Sequence, residues 1–301
     1  MSMTLATHDG TFHADDVMAY AILSIAFPGA DLVRTRDPGT LAAADLAFDV
    51  GGAYDPERLL YDHHMADGPV REDGTPYSSV GLVWRHHGHD CLAMAFPNEP
   101  EWLLERVWSD LDGGLVSEID RLDNGVGDIG HGGFPALVDD FNPRWDEDRN
   151  PNRAFLDAAE MASSVFRRRC AAAIAAARAW NAVTEAASKA QDPRIVFLER
   201  GMPWEAAILD GFPEALYVVY PSKSGGWQCA AVPPVRGSFA QRKPLPAAWA
   251  GLRGRELSDA TGVDGAVFCH HARFVCGAET AAAALALANA AADWPEHAPS
   301  P

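Results

Sequence analysis

The stretch Met3-Thr4-Leu5-Ala6-Thr7-His8-Asp9-Gly10-Thr11-Phe12-His13-Ala14-Asp15-Asp16 decides how the chain is read. A short apolar run breaks into a loop carrying two imidazoles and three acids, and residues 17–27 follow with the apolar spacing of one helical face. This predicts strand, loop, helix. Working outward, residues 31–35 read as a strand, 38–44 as a short helix, and 46–50 as a strand stopped by Gly51-Gly52. Strands alternating with helices predict an α/β fold with a parallel sheet. Leu59-Leu60-Tyr61 leads as a further strand into Asp62-His63-His64, and Tyr77-Ser78-Ser79 opens a helix through Arg85. In His86-His87-Gly88-His89-Asp90 the glycine reads as a helix stop, with the histidines complementing the helix dipole. Helical patterns over residues 101–111 and 115–122 end at Asp123-Asn124-Gly125, where Asn-Gly marks a turn.

Residues 134–152 are rich in Pro, Asp and Asn and give way to a long Ala-rich helix. A second α/β pattern begins at residues 194–198. It includes a strand at 216–220, a hairpin around Ser224-Gly225-Gly226, a Pro-rich connection at 233–246, a strand at 265–269 and a terminal helix at 278–292. The expected organisation is a catalytic domain over residues 1–151, a linker helix over 152–190, a smaller C-terminal α/β domain over 191–292, and a disordered tail over 293–301.

Composition narrows the function. The 301 residues are 48% hydrophobic, enough for real cores, and no run of eighteen uncharged apolar residues suggests a membrane span. A soluble, cytoplasmic protein is expected. The five cysteines form no Cys-x-x-Cys pair and read as reduced core residues. The net charge is −18, of which −16 falls on residues 1–190 and −2 on the remainder. With three lysines, and with arginines scattered among acids, a basic surface for duplex DNA is absent. A phosphate-bearing substrate therefore needs a local site in which metal ions cancel the carboxylates.

Candidate ligands recur where strands hand over to loops, the usual place for sites in open α/β sheets. His8, His13 and Asp15 follow the first strand, Asp49 closes the third, Asp62, His63 and His64 follow the fourth, and Asp123 ends a helix. Imidazole with carboxylate and no thiolate suits manganese, magnesium, iron or zinc, and a shared carboxylate can bridge two ions.

His8-x4-His13-x-Asp15, Asp49-Val50-Gly51-Gly52, Asp62-His63-His64 and Asp123-Asn124-Gly125 resemble the four motifs of the DHH phosphoesterase superfamily. More closely, residues 7–16, Arg34 to Pro38, 49–56, 61–64 and 78–82 resemble the melanocyte-proliferating-gene family, which is associated with exonuclease activity on RNA. The likeness continues through Met202-Pro203-Trp204-Glu205, residues 226–233, Gly237-Ser238-Phe239, residues 245–249 and Phe268 to Phe274. It implies a DHH-type N-terminal domain with two divalent ions, manganese foremost and magnesium or zinc as alternatives. His8 and His13 would hold one ion and Asp15, His63 and Asp123 the other, with Asp49 bridging. Asp62 would orient its neighbours, and His64 would face the scissile phosphate. The chain departs from the superfamily in having His13 where aspartate is usual. It departs from the nearer family in reading Cys276-Gly277-Ala278-Glu279-Thr280 where a glycine pair and a lysine are common.

On the second domain, Arg273 with His270 and His271 forms a basic group after a strand, suited to gripping phosphate. Arg34 and Arg36 either serve that role or pair with nearby acids. The expected activity is metal-dependent phosphodiester hydrolysis, exonucleolytic on single-stranded RNA or short oligonucleotides that enter between the domains. Hydrolysis of pyrophosphate or a cyclic dinucleotide is the alternative, although the former calls for more converging cations than Arg273 supplies. A catalytically idle metal-binding scaffold would show a broken ligand set, and here the set is complete.

Overall fold

The computed structural model, which describes residues 3–128 and 130–295, makes the first apolar run an interior strand, β1 (Thr4–Thr7), with Leu5, Ala6 and Thr7 fully buried. After it come α1 (Ala14–Ala26), β2 (Asp31–Arg34), α2 (Pro38–Ala43), β3 (Leu46–Phe48), β4 (Tyr54–Asp55) and β5 (Leu60–Tyr61). The sheet order is β2-β1-β3-β5-β4. All its pairings are parallel except that of the edge strand β4, which lies antiparallel to β5. β3 is shorter than its apolar run because Asp49 already leaves extended geometry, with φ of 55°.

Helix α3 (Ser79–Ala95) packs against α1, and Val17, Met18, Ile22, Val80, Val83 and Trp84 are fully buried. Each such side chain is worth about 1.5–3 kcal/mol of burial. Here the sequence expectation is corrected, because His86 to Asp90 lie inside α3 and Gly88 does not stop it. Gly88 is instead a close-packing position. A Cβ there would sit 2.7 Å from Trp108 Nε1 and 2.8 Å from Trp84 Cδ2. His87 is buried 2.8 Å from the Tyr61 hydroxyl, His86 lies 2.8 Å from the Tyr54 hydroxyl, and His89 stacks on Trp108.

Helix α4 (Glu101–Leu111) passes through a π-helical turn, Asp112–Val116, directly into α5 (Ser117–Asp123). The wider turn, at Gly113-Gly114, changes the register of the helix beyond it. α5 consequently presents Asp120 to Arg71 and Ser78, and ends on Asp123. A short helix α6 (Phe134–Asp139) and the long helix α7 (Pro151–Ser188) complete this part.

The chain falls into two compact units, Met1–Ile174 and Ala175–Pro301, divided within α7. The second unit holds β6 (Ile195–Phe197), α8 (Glu205–Gly211), β7 (Tyr217–Pro221), β8 (Trp227–Ala231), α9 (Gly254–Thr261), β9 (Ala266–Cys269), β10 (Val275–Ala278) and α10 (Ala281–Asp293). Its sheet runs β6-β7-β8-β10-β9, and β6–β7 is its parallel pair. Tyr217 and Val219 join Cys229 and Cys276 in a core with Ala284, Leu287 and Ala288 of α10. Val218 packs oppositely, with Val183 and Ala187 of α7 and Ile208 of α8. The hairpin falls at Ser222 to Gly226, close to its expected place. β10, α8 and α9 were not apparent in the sequence pattern, and α10 begins at Ala281, after Thr280 accepts the Ala283 N–H. All five cysteines are free and buried. Of the expected tail, Asp293 belongs to α10, and residues 296–301 lie outside the described residues.

Candidate metal centre

From β1 the chain moves to β2 on one side and returns to β3 on the other. That reversal opens a crevice outside the carboxyl ends of β1 and β3, where α/β sheets place their ligands. His8 follows β1, Asp49 follows β3, and Asp62-His63-His64 follows β5. Asp15 and Asp16 lie in the first turn of α1, and Asp123 closes α5. A cavity of about 1400 Å³ lies over all of these but Asp16, with His13, Arg36, Asn124 and His131 also in its walls.

Asp49 is the centre. Its Oδ2 lies 3.1 Å from His8 Nε2 and its Oδ1 3.1 Å from His63 Nε2, so one buried carboxylate faces an imidazole on each side. The left-handed backbone at Asp49 is a conformation that aspartate tolerates better than most residues, and the turn continues through Gly51 at φ of 102°. On the His63 side, Asp15 Oδ2 and Asp123 Oδ2 each lie 3.6 Å from His63 Nε2. Ser79, the first residue of α3, donates its hydroxyl to Asp15 Oδ2 at 2.9 Å. On the other side, His8 Nε2 is 3.2 Å from Asp16 Oδ2, and His8 Nδ1 sits 3.0 Å from the Asp9 carbonyl. That contact makes Nδ1 the protonated nitrogen and leaves Nε2 facing the acids.

Burial and mutual repulsion dominate the electrostatics. Burial, followed by the charges of Asp49, Asp123 and Asp16, pushes the Asp15 carboxyl well above the usual range, against the Ser79 hydrogen bond. Burial also raises Asp16 and Asp123. Burial would lower His8, but Asp16 and Asp49 outweigh it and raise its pKa to about 10. Burial would raise Asp49, but His63 and His8 hold it at about 2.

The donors suit a divalent cation. Asp15 Oδ1, Asp16 Oδ2 and Asp49 Oδ1 are buried without a hydrogen-bond partner, although Asp16 Oδ2 and Asp49 Oδ1 lie 3.2 and 3.1 Å from the imidazoles of His8 and His63. Buried carboxylate oxygens left so are costly unless a charge meets them. Adjacent donors on an octahedral ion with bonds of about 2.1 Å stand about 3 Å apart, close to the separations around Asp49. Three overlapping donor groups meet here: His8, Asp16 and Asp49; Asp15, His63 and Asp123; and Asp49, His63 and His64.

The remaining candidates named from the sequence take less central positions or different roles. His13 caps α1 with an exposed ring whose centroid is 6.2 Å from that of His8. Asp62 is buried and accepts the Gly52 N–H, the His64 N–H and, at 2.8 Å, His64 Nδ1. The His64 side chain is 63% exposed. Arg273, His270 and His271 lie on the β9–β10 turn of the second unit. There the two imidazoles lie 4.4 Å apart at a tilt of 35°, and Arg273, at φ of 62°, donates to the Leu245 carbonyl. Arg36 pairs loosely with Asp9 at 3.5 Å. Arg34 instead sends its donors to the carbonyls of His8, Gly10 and Pro151, over the Phe155 ring.

Asp16, Ser79 and Asn142 belong to this region and were not singled out from sequence. Asn142 accepts the Phe12 N–H and donates to the Phe12 carbonyl across 130 residues of chain. Asp16 had a local signal in its adjacency to Asp15; Asn142 had none.

The fold and its centre define an α/β protein with a buried carboxylate and imidazole cluster at the sheet's switch point. The chain belongs to the MYG1 family, described as an uncharacterised protein family (UPF0160), whose match spans residues 4–292. This is the nearer family that the motifs resemble. Among its relatives, the MYG1 exonuclease of Homo sapiens is 32% identical over 318 residues, covering 95% of this chain and 85% of the human protein. The MYG1 exonuclease of Rattus norvegicus is 31% identical, covering 95% and 84%. A MYG1 protein of Schizosaccharomyces pombe is 31% identical, covering 97% and 98%. No solved structure matches the chain.

Proposed function

We propose that this protein is a metal-dependent phosphodiesterase of the DHH type, acting as an exonuclease on single-stranded RNA or short oligonucleotides. The observation that carries the reading is Asp49, whose two oxygens face His8 and His63 at 3.1 Å from within a buried acidic cluster. The exonuclease names of the human and rat relatives support the substrate class. His8 and Asp49 form one side of the centre, with the exposed His13 ring at its rim; Asp15, Asp49, His63 and Asp123 form the other. Divalent cations bound there, manganese foremost, would neutralise the carboxylates and draw charge from the oxygens of a phosphodiester.

The chain's own groups do the rest. Asp62 engages His64 Nδ1, which leaves Nε2 as the atom that gives or takes a proton at the phosphate. Among the described residues of the cavity wall, Arg36 is the lone arginine or lysine, which suits one phosphodiester at a time better than pyrophosphate. No described helix is long and apolar enough to cross a membrane.

The test is hydrolysis of end-labelled RNA, DNA and cyclic dinucleotides, alongside pyrophosphate, in EDTA and in manganese. Stepwise shortening of RNA that requires manganese and disappears in D49N supports the reading. Cleavage of pyrophosphate or cyclic dinucleotides alone overturns the substrate class, and cleavage in EDTA overturns the metal dependence.

A further inference from the structure

Asp16 stands out as a buried acid whose two oxygens do different things. Oδ1 accepts the His13 N–H at 2.8 Å, which secures the start of α1. Oδ2 is fully buried, has no hydrogen-bond partner, and lies 3.2 Å from His8 Nε2. A helix cap needs only the first oxygen, and the second is left facing His8. It points to the place where His8 Nε2 and Asp49 Oδ2 already converge, and the three donor atoms lie within 4.8 Å of one another. By contrast, the His13 ring is exposed, and no donor group among the described residues includes it.

We infer that Asp16, through Oδ2, is a cation ligand on the His8–Asp49 side of the centre. This rests on the metal-dependent reading above, and it adds a ligand that neither the motif resemblance nor the alternation of strands and loops supplies. Two carboxylates and one imidazole give that side a harder, more negative donor set than two imidazoles and one carboxylate. Such a set favours manganese or magnesium over softer ions. The buried position also explains how the charge is kept. With a cation in place, Asp16 and Asp49 meet an opposite charge where His8 alone would have to supply it.

The experiment is manganese titration by calorimetry, with metal analysis after gel filtration, on the full chain as wild type, D16N, D16E and H13A. Asparagine retains an Oδ1 acceptor for the His13 N–H, so D16N should melt in EDTA at or above the wild-type temperature. The expected result is that D16N loses one manganese equivalent, or that its weaker site loses at least tenfold in affinity. D16E should recover part of the loss, and H13A should keep the equivalent. A D16N isotherm that overlays the wild type overturns the assignment. So does loss of the equivalent in H13A but not in D16N. The wild-type isotherm separately decides the underlying reading: without manganese uptake, the metal centre and Asp16's part in it both fall. If D16N unfolds in EDTA, D16S, which keeps a hydroxyl acceptor near the His13 N–H but no carboxylate, decides the question. Loss of one manganese equivalent, or of at least tenfold in affinity, by a folded D16S supports a ligand role, and an isotherm identical to wild type overturns it.

Discussion

Replacing Arg34 with methionine should loosen the ligand loop. Arg34 ends β2 and is 9% exposed, and its guanidinium donates to the His8 carbonyl at 3.2 Å, the Gly10 carbonyl at 2.8 Å and the Pro151 carbonyl at 3.2 Å. Hydrogen bonds from a charged group contribute about 1.5–3 kcal/mol each, so three represent roughly 4–9 kcal/mol of gross interaction. Methionine keeps the aliphatic packing against Phe155 and relieves the cost of burying a cation, which returns several kcal/mol. It also leaves three carbonyls to find other partners. The expected net loss is about 3 kcal/mol, which at a urea dependence of roughly 1.5–3 kcal/mol/M moves the midpoint down by about 1–2 M. Because His8 and Gly10 are the points held, manganese affinity should fall about tenfold, equivalent to 1.4 kcal/mol. Lysine keeps the charge but cannot fork to several carbonyls, so R34K should recover less than half of either loss. Urea denaturation in EDTA and manganese calorimetry measure both. An R34M midpoint within about 0.2 M of wild type would refute the clamp.

In EDTA, stability should fall as pH rises from about 6.5 to 7.5, below the range where unfolded thiols begin to ionise. His8, raised from 6.5 to about 10, contributes stability that is complete below 6.5 and is lost as pH rises through 10; Asp15, Asp16 and Asp123, raised by burial, act in the same sense at lower pH. Saturating manganese should flatten this decline, and a midpoint in EDTA that rises with pH would contradict the assignment. H64A should cut kcat by about a hundredfold with unchanged manganese uptake, since the His64 side chain is 63% exposed and tied to Asp62; lost uptake would make it a ligand instead. G88A should cost about 1–3 kcal/mol in urea, because the new methyl meets Trp84 and Trp108, and a neutral effect would show that the α3–α4 contact can give way.

The parts of the fold that were legible in the sequence were those specified by neighbours along the chain. β1, α1 and β3 could be placed from apolar spacing and glycine stops, and the loop acids announced themselves by falling where strands end. The second unit was harder, because β10 is a four-residue strand of Val275, Cys276, Gly277 and Ala278, whose small side chains carry little alternation. Its assignment comes from antiparallel pairing with β8 and β9, which is a property of the sheet. Gly88 misled for a related reason. Locally it is a helix breaker, yet α3 runs through it because two indoles from α3 and α4 need the space that a side chain would fill.

The same division runs through the centre. Acids and imidazoles in the loops can be named from sequence, but which oxygen lacks a partner depends on what the rest of the molecule satisfies. Asp120 shows the contrast with Asp16. Both are buried acids, but Asp120 is met by the Ser78 hydroxyl and N–H on one oxygen and by Arg71 on the other. It therefore braces the segment before α3 and has nothing left to offer an ion. Asp16 has one oxygen satisfied and one not. The difference between a brace and a ligand is thus set by Ser78 and Arg71, residues 42 and 49 positions away from Asp120. The ligand loop is held in the same remote way, by Arg34 at His8 and Gly10 and by Asn142 at Phe12. A loop fixed at three backbone points can keep like charges close together before any ion arrives, and that preorganisation is what a buried acidic centre requires to bind one tightly.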